Sequence, residues 1–209
     1  MPESPDTLAR LAAADPVIAR LIERYGSPDG LLERRGRRPG DAYGALLRSI
    51  VGQQLSTKAA RSIFERLTAL FDDRTPTPRE LLDTDPEKLR EVGLSRAKVA
   101  YLRDLAERVE DGELDLGRIA ELPDEEVAAE LTQVKGLGPW SVQMFLIFHL
   151  GRPDVLPAGD LGIRRAVQVE YGLDDLPDAA ELERIAEPWR PHRSLASLYL
   201  WRSLDATPV

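Results

Sequence analysis

The sequence has no cysteine and only two histidines among its 209 residues. The missing cysteine excludes disulfides, zinc–thiolate sites, cysteine-ligated iron–sulfur clusters and a cysteine nucleophile. His149 and His192 are too few to form a histidine-based metal site without help from carboxylates. We therefore expect a cytoplasmic protein whose side chains hold no metal cofactor.

Long apolar runs are also missing. No stretch reaches the length of about eighteen apolar residues that a transmembrane helix needs. The polar N-terminus, Met1 to Arg10, lacks the apolar centre of a secretory signal. We expect no membrane partner.

Basic residues are outnumbered, and the formal net charge of −8 by itself argues against a nucleic acid partner. The acidic excess is local, however. Residues 72–130 hold 18 acidic and 9 basic residues, a net charge of −9, which leaves about +1 for the rest of the chain. Residues 42–71 carry a net charge of +3. The acidic stretch is typical of a solvated surface, so a nucleic acid remains open as a partner.

Helical spacing of apolar residues dominates the chain. It runs through Leu8–Tyr25 and through Tyr43–Phe71, where Gly52 interrupts it beside a polar patch. Pro28–Gly40 is rich in Gly, Pro and Arg and predicts a connection. No segment alternates over the length of a strand, since Val155-Leu156 is too short. The sequence therefore predicts an all-α fold.

A short turn between two helices is the first candidate binding site. Residues 127–134 have the inward face of a helix, and residues 135–139 (KGLGP) follow, with Pro139 suited to a first helical turn. Gly136 and Gly138 permit positive φ and close backbone approach. The amides of such a turn can bind one phosphate oxygen without reading sequence. From these five residues alone, an ordinary helix–turn–helix corner is the favoured interpretation.

The neighbouring segments change that interpretation. Asp160 follows Val142 by eighteen residues, in a loop that opens another helix. Together with the turn, this pattern resembles the helix-hairpin-helix (HhH-GPD) DNA glycosylase superfamily, and within it the 3-methyladenine DNA glycosylase II, or AlkA-like, branch. The resemblance extends from about Tyr43 to Trp201. The segments that carry it are residues 50–57 (IVGQQLST), 134–142 (VKGLGPWSV), 156–165 (LPAGDLGIRR) and 188–201 (PWRPHRSLASLYLW).

The resemblance implies that Asp160 is the catalytic carboxylate. Breaking a base–sugar bond develops positive charge on the sugar, which a carboxylate stabilises while it orients or deprotonates the attacking water. A helix N-cap is the alternative role for an aspartate at this place, and the two roles can coexist.

The residue after Pro139 decides the mechanism class. Bifunctional members of the family have a Schiff-base lysine there, whereas this chain has Trp140. Lys135 lies earlier, in the turn itself, so no amine is expected to attack the sugar. The sequence predicts base excision by water, without lyase activity.

A base must leave the duplex to be cut. The resemblance places Trp140 and Trp201 on the wall of the base pocket, where aromatic faces favour a base made cationic by alkylation. Met144 lies one turn after Trp140, where some relatives have an aromatic residue. Core packing is the alternative for all three side chains.

The gap left by an extruded base is commonly filled by a side chain from the minor groove. The resemblance favours Gln54 as this wedge, with Leu55 as the next candidate. Gln53 and Gln54 can alternatively be a polar pair that bonds nearby backbone. The other predicted DNA contacts are Gln53, Lys58, Lys135, Gly136, Leu137, Gly138, Arg164 and Arg165.

The resemblance also implies two helical lobes around a central DNA-binding cleft. Residues 36–148 would form the lobe with the wedge and hairpin, and residues 1–35 with 149–209 the lobe carrying Asp160. We expect no extra β-domain of the kind that some relatives have, because too few residues precede the matching segments. A Na⁺ or K⁺ ion is implied on the hairpin backbone near Val134 and Gly136.

We expect a monomer that acts on double-stranded DNA containing alkylated bases and that, in a bacterium, associates with the nucleoid. Two alternatives stay open. One is a glycosylase for uracil, mismatched thymine or oxidised bases, and the other is a non-catalytic DNA-binding module that uses the hairpin only for phosphate contact.

Overall fold

A computed structural model describes residues 5–27 and 41–205. Within these ranges the chain forms α-helices, two short 3-10 helices and one π-helical segment, with no β-strand. The all-α prediction is confirmed. The connection predicted at Pro28–Gly40 lies outside the described residues. Among the described helices, none is long and apolar enough to cross a membrane.

The described residues divide into two compact units. The described part of Pro39–Phe145 forms the first, which we refer to as the hairpin unit. Its helices are α3 (Ala42–Gly52), α4 (Thr57–Ala69), α5 (Pro78–Asp83), α6 (Pro86–Glu91), α7 (Arg96–Glu110), a 3-10 turn (Ile119–Glu121), α8 (Asp124–Leu131) and α9 (Pro139–Phe145).

The second unit, which we refer to as the aspartate unit, comprises the described parts of Met1–Arg38 and Leu146–Val209. Its elements are α1 (Pro5–Ala14), α2 (Pro16–Tyr25), a π-helical segment (Leu146–Leu150), α10 (Leu161–Tyr171), α11 (Ala179–Ala186), a 3-10 turn (Glu187–Trp189) and α12 (Arg193–Asp205).

In the hairpin unit, α3 packs against α4, α7 and α9, and α7 also packs against α5 and α6. The helical stretch predicted over Tyr43–Phe71 is two helices, because α3 ends at Gly52 and α4 begins at Thr57. The Ser56 hydroxyl accepts the amide of Ala59 at 3.3 Å and so caps α4. The break leaves a short exposed loop at the C-terminal end of α3.

In the aspartate unit, the helical stretch predicted over Leu8–Tyr25 is also divided. Pro16 occupies the first position of α2, where its missing N–H costs nothing. Asp15 caps the helix by accepting the amides of Val17 and Ile18 at 2.8 and 3.1 Å. The chain therefore turns between α1 and α2 because an Asp-Pro pair is a strong helix start.

The same carboxylate joins distant parts of the aspartate unit. Asp15 Oδ2 accepts the hydroxyl of Tyr171 at 2.6 Å and the indole N–H of Trp189 at 2.9 Å. Asp15 and Trp189 are buried. Burial and the nearby Asp15 carboxylate raise the pKa of Tyr171, so its hydroxyl stays protonated and donates. Four donors satisfy one buried carboxylate.

Asp15→Ala is expected to lower the free energy of unfolding by about 3 kcal/mol, because it removes a cap and leaves two partly or fully buried donors unpaired. Equilibrium urea unfolding measures this loss. Asp178→Ala is the matched control, since Asp178 only caps α11 through Glu181 N at 2.8 Å; about 1 kcal/mol is expected there. Equal losses in the two variants would show that the bonds to Tyr171 and Trp189 add nothing to the cap.

Candidate functional site

The turn between α8 and α9, residues 134–138, has one glycine that the fold itself requires. Gly136 has φ +84°, and a Cβ built on it would lie 2.3 Å from the ring of Tyr101. Gly138 differs from the expectation, because its φ is not in the left-handed region and a Cβ there would meet no atom within 4 Å. Nothing within the described chain therefore explains why residue 138 is glycine. We refer to these residues as the hairpin turn.

Lys135 of the hairpin turn is held by a buried acid. Asp104 on α7 accepts the Lys135 backbone amide at 2.9 Å and its ammonium at 2.8 Å. Burial alone would raise the pKa of Asp104, but the bonds from Lys135 and Arg108 hold that pKa below its usual value. The same contact raises the pKa of Lys135. The predicted phosphate contact of Lys135 stays a prediction. The backbone amide of Lys135 already donates to Asp104.

The loop between α3 and α4, residues 53–56, contains the predicted wedge, and we refer to it as the wedge segment. Gln53 donates its side-chain amide to the carbonyl of Gly136 at 2.7 Å, so the segment is joined to the hairpin turn. Gln54 is exposed and has φ +58°, which is uncommon outside glycine. Leu55 is also exposed. Both wedge candidates thus present their side chains to solvent.

Lys98 on α7 holds the start of the wedge segment. Its ammonium donates to the carbonyls of Val51 and Gln53, at 2.8 and 2.7 Å. Partial burial lowers the pKa of Lys98. These carbonyls belong to the C-terminal end of α3, where helix carbonyls lack intrahelical partners and a cation is favourable.

Asp160 in the aspartate unit is the N-cap of α10. Its Oδ1 accepts the amide of Ile163 at 2.8 Å and the indole N–H of Trp201 at 3.0 Å. A Cβ added to Gly162 would lie 2.9 Å from Asp160 Oδ1 and 3.4 Å from the Trp201 ring. The carboxylate is therefore oriented by two donors and by a glycine that leaves room for it.

The loop that leads to Asp160 is fixed by the start of α12. Asp154 accepts Arg193 Nε at 2.8 Å and Nη2 at 3.0 Å. Burial would raise the pKa of Asp154, but the bonds from Arg193 hold it below the usual value. Ser194 Oγ accepts the amide of Val155 at 2.9 Å and donates to the carbonyl of Arg152 at 2.7 Å. Residues 152–156 are thus tied to α12.

The three predicted pocket residues have different environments. Trp140, in the first turn of α9, is 46% exposed, and Met144 is half-buried. Trp201 is only 3% exposed, and its ring centroid lies 5.8 Å from that of Phe148. The structure gives Trp201 a defined partner in Asp160. Stacking of either tryptophan on a base stays a prediction.

The predicted basic contacts are also unequal. Lys58 is exposed at the start of α4. Arg164 donates through Nε to the carbonyl of Pro177 at 2.6 Å, so it ties α10 to the following loop. Arg165 is exposed and bonds Gln168 on its own helix. Of the three, Lys58 and Arg165 present their charge to solvent, and Arg164 has a structural contact.

A cation at the hairpin turn would meet uncharged backbone carbonyl oxygens. The carbonyls of Val134 and Gly136 each accept one hydrogen bond, from Leu137 N and from Gln53, which leaves each oxygen a second lone pair. Among residues 5–27 and 41–205, no group of three His, Cys, Asp or Glu side chains could hold a metal ion. The donor set fits a monovalent ion rather than a divalent one.

Four residues around these sites were not anticipated: Lys98, Tyr101, Asp104 and Gly162. Three of them lie on α7, far in sequence from what they contact. The sequence contains no signal for Asp104 either, because helical spacing places it roughly opposite Leu102 and away from the apolar stripe of α7. Its burial appears only in the structure, where the bonds from Lys135 and Arg108 satisfy a carboxylate that would be costly to bury unpaired.

Comparison with known proteins gives consistent matches. The profile of the HhH-GPD superfamily of base excision DNA repair proteins matches residues 47–191. DNA-3-methyladenine glycosylase 1 of Schizosaccharomyces pombe is 36% identical over 197 residues, covering 92% of this chain and 84% of that protein. YfjP of Bacillus subtilis is 32% identical over 169 residues, which cover 78% of this chain but only 59% of YfjP.

Solved structures give the same result. The Schizosaccharomyces pombe 3-methyladenine DNA glycosylase Mag1, in complex with abasic DNA, matches with a TM-score of 0.83 and 32% identity, over 97% of this chain and 98% of that one. A DNA-3-methyladenine glycosidase from Bacillus halodurans matches with a TM-score of 0.82 and 33% identity, over 98% and 91% of the two chains.

Proposed function

Because the chain belongs to the HhH-GPD superfamily of base excision DNA repair proteins, we propose that it is a monofunctional DNA glycosylase that hydrolyses the N-glycosidic bond of alkylated bases of the 3-methyladenine type. The fixed carboxylate of Asp160 is the observation that carries the chemistry. The proposed substrate class is supported by relatives that match most of the chain and are named DNA-3-methyladenine glycosylase or glycosidase.

Asp160 acts on the sugar rather than on the base. As the bond between C1′ and the base nitrogen breaks, the base takes the electron pair and the deoxyribose becomes oxocarbenium-like. The carboxylate stabilises this positive charge and accepts a proton from the water that attacks C1′. Trp201 N–H and Ile163 N–H hold Oδ1, so the group is oriented before the substrate arrives.

Water is the nucleophile because the hairpin turn offers no neutral amine. Trp140 occupies the position after Pro139. Lys135 is ion-paired with Asp104, and its raised pKa keeps it protonated; a protonated amine cannot form a Schiff base. Base release therefore leaves an intact abasic strand.

An alkylated base suits the proposed reaction because it carries positive charge. The exposed indole of Trp140 offers an aromatic face that attracts such a cation, and Met144 adds a polarisable side chain near it. A cationic base is also a good leaving group, so no general acid is needed. These residues carry the proposed selectivity.

Double-stranded DNA is held through its backbone in this proposal. The hairpin turn binds a phosphate through the amides of Gly136 and Gly138, Gln54 fills the gap left by the extruded base, and Lys58 and Arg165 add charge. A Na⁺ or K⁺ ion on the carbonyls of Val134 and Gly136 would add positive charge near that phosphate. The chain acts as a monomer in this proposal.

The test is a panel of duplexes with single lesions, assayed for released base and, separately, for strand cleavage without added base. We expect release of 3-methyladenine or 7-methylguanine and no nicking. Release of only uracil, mismatched thymine or an oxidised base would change the substrate class. No release from any duplex, with binding retained, would favour a non-catalytic DNA-binding module. Nicking at the excision site would contradict the monofunctional mechanism.

A further inference from the structure

One side of α7 contacts both the wedge segment and the hairpin turn. Lys98, Tyr101 and Asp104 follow one another at intervals of three residues, which places them on the same side of the helix. Lys98 bonds the carbonyl of Gln53 at 2.7 Å, and Asp104 bonds the amide of Lys135 at 2.9 Å. The helix therefore sets the spacing between two segments that are far apart in sequence.

The wedge segment is constrained on both sides of the peptide that precedes Gln54. Lys98 holds the Gln53 carbonyl, while the Gln53 side chain is bonded to Gly136 at 2.7 Å. The next residue, Gln54, has φ +58°. Because an unrestrained glutamine prefers negative φ, the contacts of Lys98 and Gln53 stabilise a loop conformation that the isolated segment would rarely adopt.

We propose that Lys98 is a positioning residue for strand opening: through the carbonyls of Val51 and Gln53 it holds the wedge segment so that Gln54 is presented in one fixed orientation to the duplex. This inference rests on the proposed function, because it concerns how that function extrudes a base. A side chain that is already oriented loses less conformational freedom on insertion, so the opened state of the DNA is stabilised. Lys98 itself contacts no reacting atom.

DNA opening can be measured without base excision. Full-length protein is titrated into a duplex that contains a tetrahydrofuran abasic analogue beside 2-aminopurine, whose fluorescence rises when it unstacks. Lys98→Met keeps most of the unbranched side chain but removes its donors. We expect the fluorescence rise at saturation to fall to less than half, while the midpoint of thermal unfolding stays near the wild-type value. A wild-type fluorescence rise in Lys98→Met would overturn the inference.

Excision provides a second measurement, under single-turnover conditions and saturating enzyme. For a lesion in a stable base pair, Lys98→Met should be slower by about tenfold, whereas the same lesion in an unpaired bulge should react within about twofold of wild type. Lys98→Arg retains donors for both carbonyls and should restore most of the rate. Equal slowing on the two substrates would indicate a merely structural role.

The most specific readout is the coupling between Lys98 and Gln54. Gln54→Ala should also slow excision from the paired lesion, because the gap is no longer filled. If Lys98 acts through Gln54, adding Lys98→Met to Gln54→Ala should slow the paired reaction by less than about twofold further. Multiplication of the two single effects would contradict the inference.

Two further variants complete the experiment. Lys88→Met removes an exposed positive charge from α6, outside the proposed machinery, and should change neither signal. Lys98→Gln remains polar but cannot span both carbonyls, and replaces Lys98→Met if that variant does not fold. Should wild-type protein open the duplex but release no base, the proposed function fails, while the fluorescence of the Lys98 variants still decides the inference.

Discussion

Asp160→Asn is expected to lower the rate of base release by roughly 10²–10³-fold while leaving folding and DNA binding intact. Asparagine has the shape of aspartate, and its carbonyl can still accept the N–H groups of Ile163 and Trp201. What it lacks is the negative charge that offsets the developing charge on the sugar. A lower rate of base release in this variant would therefore measure the electrostatic contribution of Asp160, because the hydrogen bonds that position the side chain are kept.

The substitution also separates the two roles that an aspartate at a helix start can have. Asparagine is as good an N-cap as aspartate. If the role of Asp160 were purely structural, the Asp160→Asn variant would therefore keep both its stability and its activity. The measurements are single-turnover excision of a methylated base, affinity for abasic-analogue duplex, and urea unfolding. Wild-type excision by Asp160→Asn would eliminate Asp160 as the catalytic carboxylate.

Asp178→Asn is the matched control for this experiment. Asp178 caps α11 in the same unit, with its carboxylate on Glu181 N at 2.8 Å, and has no part in the proposed chemistry. The same loss of one negative charge at a helix start should leave excision unchanged. If both variants were equally slow, a general effect of charge on DNA binding would explain the result better than catalysis at Asp160.

Local chemistry explains which parts of the fold could be predicted from the sequence. Helix starts were predictable from a proline suited to the first turn, as at Pro139 of α9, or from a capping side chain, as at Asp160 before α10. At α6 the two signals coincide, since Pro86 follows the capping Asp85. These features depend on residues within one helical turn of each other, so the sequence contains all the relevant information.

Contacts over long sequence separations were not predictable. Asp104 and Lys135 are 31 residues apart, Lys98 and Gln53 are 45 apart, and Asp160 and Trp201 are 41 apart. No periodicity or turn preference connects such positions, because packing decides which helix faces meet. The resemblance to a known family assigned roles to Trp201 and Asp160 but did not indicate that one donates to the other.

Gly136→Ala is expected to lower the free energy of unfolding by about 3 kcal/mol and to abolish measurable DNA binding. An L-residue at φ +84° is strained by about 1 kcal/mol, and the Tyr101 ring, 2.3 Å from the new Cβ, must move or push the hairpin turn away. Either movement displaces amides that are proposed to bind phosphate. Urea unfolding and titration with abasic-analogue duplex measure the two losses.

Gly138→Ala tests whether residue 138 must be glycine for the stability of the fold or for DNA binding. Its Cβ would meet no atom within 4 Å, so stability should stay within about 0.5 kcal/mol of wild type. Affinity for DNA should nevertheless fall about tenfold, because a methyl group would stand where a phosphate approaches the backbone. Gly136→Ala should cost less stability in a Tyr101→Ala background than in the wild-type background, since the clash with the ring is absent there. Wild-type affinity of Gly138→Ala for DNA would show that no phosphate comes close to residue 138. The proposed phosphate contact of the hairpin turn would then be wrong at that residue.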